Sequence, residues 1–147
     1  MQKIAVKIIN KSDNPAPEYA TDGAAGFDLR AFLTEQVELL PLQRKLIPTG
    51  LFMEIPNGYE GQVRPRSGLA LKQGLTCLNA PGTIDSDYRG EVGVILINLS
   101  QEPQIIRTGE RIAQLVIAKS ERAELVSVEA INETMRGSGG FGHTGKN

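Results

Sequence analysis

The chain has very few of the residues from which disulfides and histidine-based metal sites are built. It contains one cysteine, Cys77, and one histidine, His143, among its 147 residues. A single cysteine excludes a disulfide within the chain, and the CxxC and CxxH spacings of zinc frameworks are absent. A lone histidine also excludes the usual histidine zinc sites and argues against a serine–histidine triad.

A strong charge of either sign and long apolar runs are also lacking. The formal net charge is −1, so the chain as a whole attracts neither nucleic acid nor an anionic membrane. No apolar run is long enough to span a bilayer, and residues 1–9 alternate like a strand instead of resembling a secretory signal. We therefore expect a soluble, cytoplasmic protein in a reducing compartment, with no direct nucleic-acid or membrane partner.

What the chain does have is turn-forming residues, spread along its whole length. Its 16 glycines and 8 prolines separate short apolar runs, a spacing typical of an all-β sandwich or barrel. The length fits one domain. The predicted strands cover 3–9, 26–32, 36–39, 44–47, 51–55, 59–64, 75–78, 92–98, 104–106, 112–118 and 123–131.

Three segments depart from the simple pattern of alternating strands. Residues 67–74 begin with a possible N-cap at Ser67 and end with a possible glycine C-cap, which predicts a short helix. Residues 94–97 are apolar on both faces, which indicates a strand covered on both sides in a subunit core or an interface. Residues 119–135 have a helix-favouring composition, but near-alternation over 125–131 favours the strand predicted at 123–131.

An acidic turn is predicted within 82–94. Asp85, Asp87 and Tyr88 stand between an apolar pair and an apolar strand. An ordinary β-turn explains the acidic residues, because such turns are common in all-β chains. A carboxylate beside a flat ring and flexible backbone can also orient water, press on a sugar and offer peptide groups to a base edge.

Two arginines lie directly before the predicted helix. Arg64 and Arg66 precede Ser67 and Gly68, where free N–H groups and a hydroxyl favour an anion. The alternative is a capped helix with solvated arginines.

Two polar residues interrupt strands. Asp28 needs a partner because aspartate is disfavoured in strands: an arginine, backbone N–H groups, or water on a metal. A structural ion pair is the simplest of these interpretations. Gln114 lies in an apolar strand, so its amide must bond to neighbouring backbone or face a polar site.

The C-terminal segment 136–145 is half glycine and cannot build a core. A flexible tail is one interpretation. The other is a lid that orders on ligand binding, with Arg136 on a phosphate and Phe141 stacked on a base. Together with the two arginine-bearing segments and the isolated carboxylates, such a lid suggests that the ligand is a nucleoside triphosphate with Mg²⁺. The ligands of Mg²⁺ are largely phosphate oxygens and water.

Five blocks, in this order, resemble the trimeric deoxyuridine triphosphatases (dUTPases). They are AAGFDLRA at 24–31, RPRSGLA at 64–70, GTIDSDYRGEVGV at 82–94, RIAQLVI at 111–117 and RGSGGFGHTG at 136–145. His143 departs from the family pattern, which more often has a small hydroxyl residue there.

The resemblance implies an all-β, distorted jelly-roll (β-clip) fold with one short helix. It implies a homotrimer with shared active sites, in which residues 1–135 form one domain and 136–147 form an arm that closes a site. The implied reaction converts dUTP to dUMP and pyrophosphate with Mg²⁺, which keeps uracil out of DNA and supplies dUMP for thymidylate synthesis. A dCTP deaminase-like enzyme of the same fold and a catalytically silent nucleotide-binding regulator are the alternatives.

The resemblance also implies residue roles. Asp85 would be the general base, Tyr88 would exclude a 2′-hydroxyl, and Asp28 would hold Mg²⁺ through water. The implied substrate-binding residues are Arg66, Ser67, Gly68, Asn79, Thr83, Ile84, Asp85, Tyr88, Gly93, Gln114, Arg136, Phe141 and Gly142.

Overall fold

A computed structural model describes residues 3–141, which form ten strands and one helix. In chain order the elements are β1 Lys7–Asn10, β2 Gly26–Arg30, β3 Val37–Leu39, β4 Arg44–Glu54, β5 Tyr59–Arg64, α1 Ser67–Gln73, β6 Leu75–Cys77, β7 Gly82–Ile84, β8 Glu91–Asn98, β9 Gln104–Ile106 and β10 Arg111–Lys119. No helix among the described residues is long and apolar enough to cross a membrane.

The strands form two antiparallel four-stranded sheets and one short pair. The first sheet has the order β1-β4-β8-β6, the second has the order β2-β10-β5-β7, and β3 pairs with β9. In β5, Gly61 and Val63 are buried while the intervening polar residues are more exposed, as expected for a strand with one face on a core. One continuous core takes side chains from both sheets, among them Leu29, Ile47, Val94, Leu96 and Leu115.

The predicted strands 44–47 and 51–55 form one long strand, β4. Its pairing with β8 shifts register between Pro48 and Phe52, which marks a bulge. Gly50 lies in this bulge with φ of 71°, and a Cβ there would come within 2.8 Å of the Cβ of Ser12. Both the left-handed backbone and the close approach require glycine.

The short helix is confirmed, but Ser67 is not its N-cap. The capping position is Arg66, whose backbone is extended and whose side chain makes no capping bond. Ser67 is already inside the helix, because the Arg66 carbonyl accepts the Ala70 N–H at 3.1 Å. At the other end Gly74, with φ of 64°, donates to the Ala70 and Leu69 carbonyls, as its predicted C-cap role requires.

The prediction of a strand at 123–131 is wrong, because these residues form no strand in the single chain. Residues 120–129 carry no helix or strand and are all exposed. A strand needs a neighbour to which it can hydrogen-bond, and β10 is already paired on both sides by β2 and β5. The short strand β7 was not predicted, since three residues carry too little periodicity to distinguish them from the turn that follows.

The expectation that β8 is covered on both faces is largely confirmed. Val94, Leu96 and Ile97 are buried, and Ile95 is half-buried. The strand lies between β4 and β6 in the interior of its sheet.

Candidate active site

The predicted base, Asp85, opens the turn that follows β7. Its carbonyl accepts the Tyr88 N–H at 3.1 Å. The Arg89 guanidinium closes the turn by donating to the carbonyls of Ser86, at 2.8 Å, and Tyr88, at 3.0 Å. Asp85 is exposed, so its carboxylate is open to solvent water.

Asn79, Thr83 and Ile84 lie on the approach to this turn. Ile84 packs against the core, whereas Asn79 and Thr83 are exposed. A Cβ on the buried Gly82 would lie 3.2 Å from Nδ2 of Asn79, so the amide of Asn79 sits beside the start of β7. Exposed peptide edges and one amide therefore flank the turn.

Gly93 is the third residue of β8, the strand that follows the turn. It pairs with Pro48 of β4. A Cβ at Gly93 would come within 2.6 Å of Cδ1 of Leu46, a side chain that is itself 61% exposed. The apolar side chain of Leu46 thus packs directly over the backbone of Gly93.

A second group of predicted site residues gathers around Asp28 on β2. Its Oδ1 lies 3.0 Å from Nε of Arg66, and its Oδ2 lies 3.3 Å from Nη1 of Arg111. Arg66 also donates to the Arg111 carbonyl at 3.1 Å. The sequence left three kinds of partner open for Asp28. In the structure its partners are two arginines.

Gln114, Ser67 and Gly68 belong to the same group. The β10 register places Gln114 between Asp28 and Arg64. Its Nε2 donates to the Pro65 carbonyl at 3.0 Å, so the amide bonds to neighbouring backbone as one of the two predicted alternatives required. Ser67 and Gly68 are exposed at the start of α1.

A groove of about 600 Å³ extends from this arginine cluster and adds residues that were not predicted. Four arginines line it: Arg30, Arg66, Arg107 and Arg111. Glu110 is the acidic residue in the lining, 3.9 Å from Arg107. The excess of positive charge suits an anion with several charges. Arg30 and Arg111 have a sequence signal, since they lie in the blocks 24–31 and 111–117, whereas Arg107 lies in none of the five blocks. The fold brings these arginines together.

The described residues contain no group of three or more histidine, cysteine or acidic side chains that could hold a metal ion. Asp28 is a single carboxylate: its Oδ2 accepts a hydrogen bond from Arg111, and its Oδ1 is ion-paired with Arg66. A carboxylate oxygen has two lone pairs, so each retains capacity for one water. The cluster therefore fits a cation held mainly by other ligands and contacted through water.

The two groups of predicted residues lie toward opposite ends of β5. β7 runs antiparallel to β5, with Ile84 opposite Gly61. Asp85, the residue after Ile84, therefore lies near the Tyr59 end of β5. Arg66 follows the other end, after Arg64. The six residues of β5 span roughly 17 Å at about 3.3 Å per residue. One chain therefore does not bring the acidic turn and the arginine cluster together.

Residues 136–139 fold into a local turn. Arg136 Nε donates to the Gly139 carbonyl at 2.7 Å, and the Gly139 N–H donates to the Arg136 carbonyl at 3.1 Å. The Phe141 ring is fully exposed. The predicted contact at Gly142 lies outside the described residues.

Fold and site together define an all-β sandwich protein with an exposed acidic turn and a separate arginine cluster suited to a polyanionic ligand. The sequence model of the dUTPase family matches residues 12–145. The chain belongs to the dUTPase family.

Individual relatives agree with this assignment. The deoxyuridine 5′-triphosphate nucleotidohydrolase of Cytophaga hutchinsonii is 59% identical over 142 residues, covering 97% of this chain and 92% of that protein. A mutant dUTPase of Staphylococcus bacteriophage 80alpha, solved with dUpNHpp, superposes with a TM-score of 0.80 at 28% identity and covers 97% and 99% of the two chains. The structure of a mutant dUTPase of phage phi11 of S. aureus, which reveals the molecular details for the coordination of a structural Mg(II) ion, superposes with a TM-score of 0.77 at 26% identity and covers 88% and 100% of the two chains. The expected fold class is thereby confirmed.

Proposed function

We propose that the chain is a dUTP diphosphatase, which hydrolyses dUTP to dUMP and pyrophosphate. The observation that carries this proposal is the exposed turn of Asp85 and Tyr88 in a chain of the dUTPase family. The product dUMP would feed thymidylate synthesis, and removal of dUTP would keep uracil out of DNA.

The acidic turn would hold the nucleoside. Asp85 would act as general base and take a proton from the water that attacks the α-phosphorus. Tyr88 would pack against the deoxyribose and exclude a 2′-hydroxyl. Peptide groups around Asn79, Thr83, Ile84 and Gly93 would read the uracil edge, and a cytosine there would leave polar groups mismatched.

The arginine cluster would hold the phosphates. Arg66 would donate to phosphate oxygens, together with the hydroxyl of Ser67, the backbone of Gly68 and the amide of Gln114. From the C-terminal arm, Arg136 and Gly142 would contact phosphate and Phe141 would stack on uracil. Positioning and charge neutralisation are the main requirements of phosphoryl transfer, and these residues are of the types that supply them.

The distance between the two groups supports the proposal of a homotrimer with shared sites. A triphosphate is much shorter than the separation of roughly 17 Å along β5, so Asp85 and Arg66 of one chain cannot serve the same substrate. The apolar side chains of the unpaired segment 120–135 support assembly: Leu125 is 93% exposed and Ile131 is 86% exposed. The acidic turn of one subunit would meet the arginine cluster of a second and the arm of a third.

Mg²⁺ would be the cofactor. Phosphate oxygens and water would be its direct ligands, and Asp28 would contact it through water. When bound, the ion would neutralise phosphate charge. The carboxylate of Asp28 would serve this contact while it holds Arg66 and Arg111.

Residues 1–135 would form one domain and residues 136–147 an arm that closes a site. The enzyme would work in the cytoplasm, without binding nucleic acid directly.

Release of pyrophosphate from dUTP tests the function. Rapid release from dUTP, with dCTP, dTTP and UTP hydrolysed far more slowly, is the expected result. Ammonia release from dCTP would instead identify the deaminase alternative, for which the sequence has no matching glutamate block. Nucleotide binding without turnover would identify the silent regulator.

A further inference from the structure

The Tyr88 ring occupies the space that a side chain at position 90 would need. A Cβ built on Gly90 would lie 2.3 Å from Oη, 2.5 Å from Cζ and 2.9 Å from Cε2 of Tyr88. The φ of Gly90 is not in the left-handed region, so its backbone does not itself demand glycine. What demands glycine at this position is the folded-back tyrosine.

Tyr88 is anchored in that position at both ends of the residue. Its N–H donates to the Asp85 carbonyl at 3.1 Å, and its hydroxyl donates to the Glu91 carbonyl at 3.0 Å. Glu91 is in turn tied to the β4 bulge, because its Oε1 accepts the Gly50 N–H at 2.7 Å. Two hydrogen bonds thus hold Tyr88 in this position when residue 90 is glycine.

We propose that Gly90 is a positioning residue for sugar specificity, acting through Tyr88. The inference rests on the proposed function, in which the Tyr88 ring excludes the 2′-hydroxyl. Any side chain at position 90 must displace the ring, and Tyr88 can move because it is 44% exposed. A displaced ring no longer fills the space of a 2′-hydroxyl, so the enzyme loses discrimination while the fold is kept.

The test is the ratio of kcat/KM for dUTP to kcat/KM for UTP, with both substrates measured on one preparation. Partial unfolding lowers both values equally and leaves the ratio unchanged, so the ratio reports specificity and not stability. For Gly90→Ala the ratio should fall by at least about tenfold, the low end of the discrimination that the fit of one small substrate group, here the 2′-hydroxyl, contributes. Gly23→Ala is the matched control, because a Cβ there meets nothing within 4 Å, and its ratio should stay that of the wild type.

A double-mutant cycle tests whether residue 90 affects the ratio through Tyr88. Tyr88→Ala should lower the ratio, and adding Gly90→Ala should then change nothing, because the atoms that the methyl group meets are gone. An unchanged ratio in Gly90→Ala, an equal fall in both backgrounds, or a Gly90→Ala protein that does not fold at all would each overturn the proposal. The last of these would show that the ring does not yield. In all three cases wild-type turnover of dUTP would leave the proposed function standing, whereas folded wild type without that turnover would defeat both.

Discussion

The carboxylate of Asp28 joins Arg66 to the second sheet, with Oδ1 of Asp28 3.0 Å from Nε of Arg66. Asp28 lies in the middle of β2, whereas Arg66 lies between β5 and α1. Both side chains are roughly one-third exposed, at 31% and 29%. An ion pair of this exposure stabilises the fold by only about 0–1 kcal/mol, so we interpret its main effect as orientation of the guanidinium.

Asp28→Asn should therefore change the kinetics more than the stability. We expect the KM for dUTP to rise by about tenfold, because Arg66 and Arg111 lose the charge that orients them. The free energy of unfolding should fall by less than about 1 kcal/mol. Steady-state kinetics and urea unfolding measure the two effects. Glu54→Gln is the control, since it breaks the exposed pair with Lys7 at 2.9 Å, which joins β1 to β4 in the other sheet, outside the arginine cluster. A large loss of stability with unchanged KM would contradict the orientation role.

Asp85→Asn should lower kcat by roughly 10²–10⁴-fold, because an amide cannot accept the proton of the attacking water. Binding of the non-hydrolysable analogue dUpNHpp, followed by calorimetry, should be nearly unchanged. Asp87→Asn removes another exposed carboxylate two residues away and should retain most activity. Near-normal turnover in Asp85→Asn would exclude this residue as the base.

Deletion of residues 136–147 should leave the fold intact and cripple catalysis. Arg136 hydrogen-bonds to Gly139 within the same segment, and the Phe141 ring is fully exposed. The midpoint of thermal unfolding should shift by less than about 2 °C. kcat/KM for dUTP should fall by roughly 10²-fold or more, since phosphate and base lose their positioning contacts. Phe141→Ala gives the contribution of the ring alone. Full activity after truncation would refute the closing arm.

Charge introduced into the exposed apolar segment should dissociate the assembly. Leu125→Asp with Ile131→Asp places two carboxylates where an apolar interface is proposed. Analytical ultracentrifugation should show monomers in place of trimers, and dUTP turnover should be lost with the trimer. Leu71→Asp on α1, where the side chain is 87% exposed, is the control and should remain trimeric. An active monomer would contradict the shared site.

The single thiol predicts a pH dependence of stability. Burial raises the pKa of Cys77 from 9.0 to about 11. Above the unfolded pKa the unfolded chain releases the proton and the folded chain keeps it, so the free energy of unfolding should decrease as pH rises from 9 toward 11. Urea unfolding across this range should give a shallower decrease for Cys77→Ala. A thiol reagent should modify Cys77 rapidly only in the unfolded chain, and equal rates in both states would contradict its burial.

Local patterns predicted much of the architecture. β5 and β9 have the predicted bounds, because their apolar residues and flanking turns are unambiguous over those ranges. The strand at 123–131 could not be judged in the same way. Its alternation describes a side chain pattern and says nothing about whether a hydrogen-bonding neighbour exists in the same chain.

Candidate residues were predictable where their chemistry conflicts with their surroundings. Asp28 and Gln114 interrupt strands, and each has the partner that such a position requires. Arg30 and Arg107 gave no such conflict, since arginines on a surface need no explanation. Their place in the groove beside Arg66 depends on β10 and the loop before it.

The sequence by itself determined the turn residues, the alternation of the strands and the types of side chain available for chemistry, because all three depend on near neighbours along the chain. Only the tertiary structure decided which of those side chains meet. Because β5 and β7 pair antiparallel, Asp85 and Arg66 lie near opposite ends of one strand. The Tyr88 ring fills the space in which a side chain at position 90 would lie. Strand direction and close packing between residues are properties of the folded chain, and no local pattern contains them.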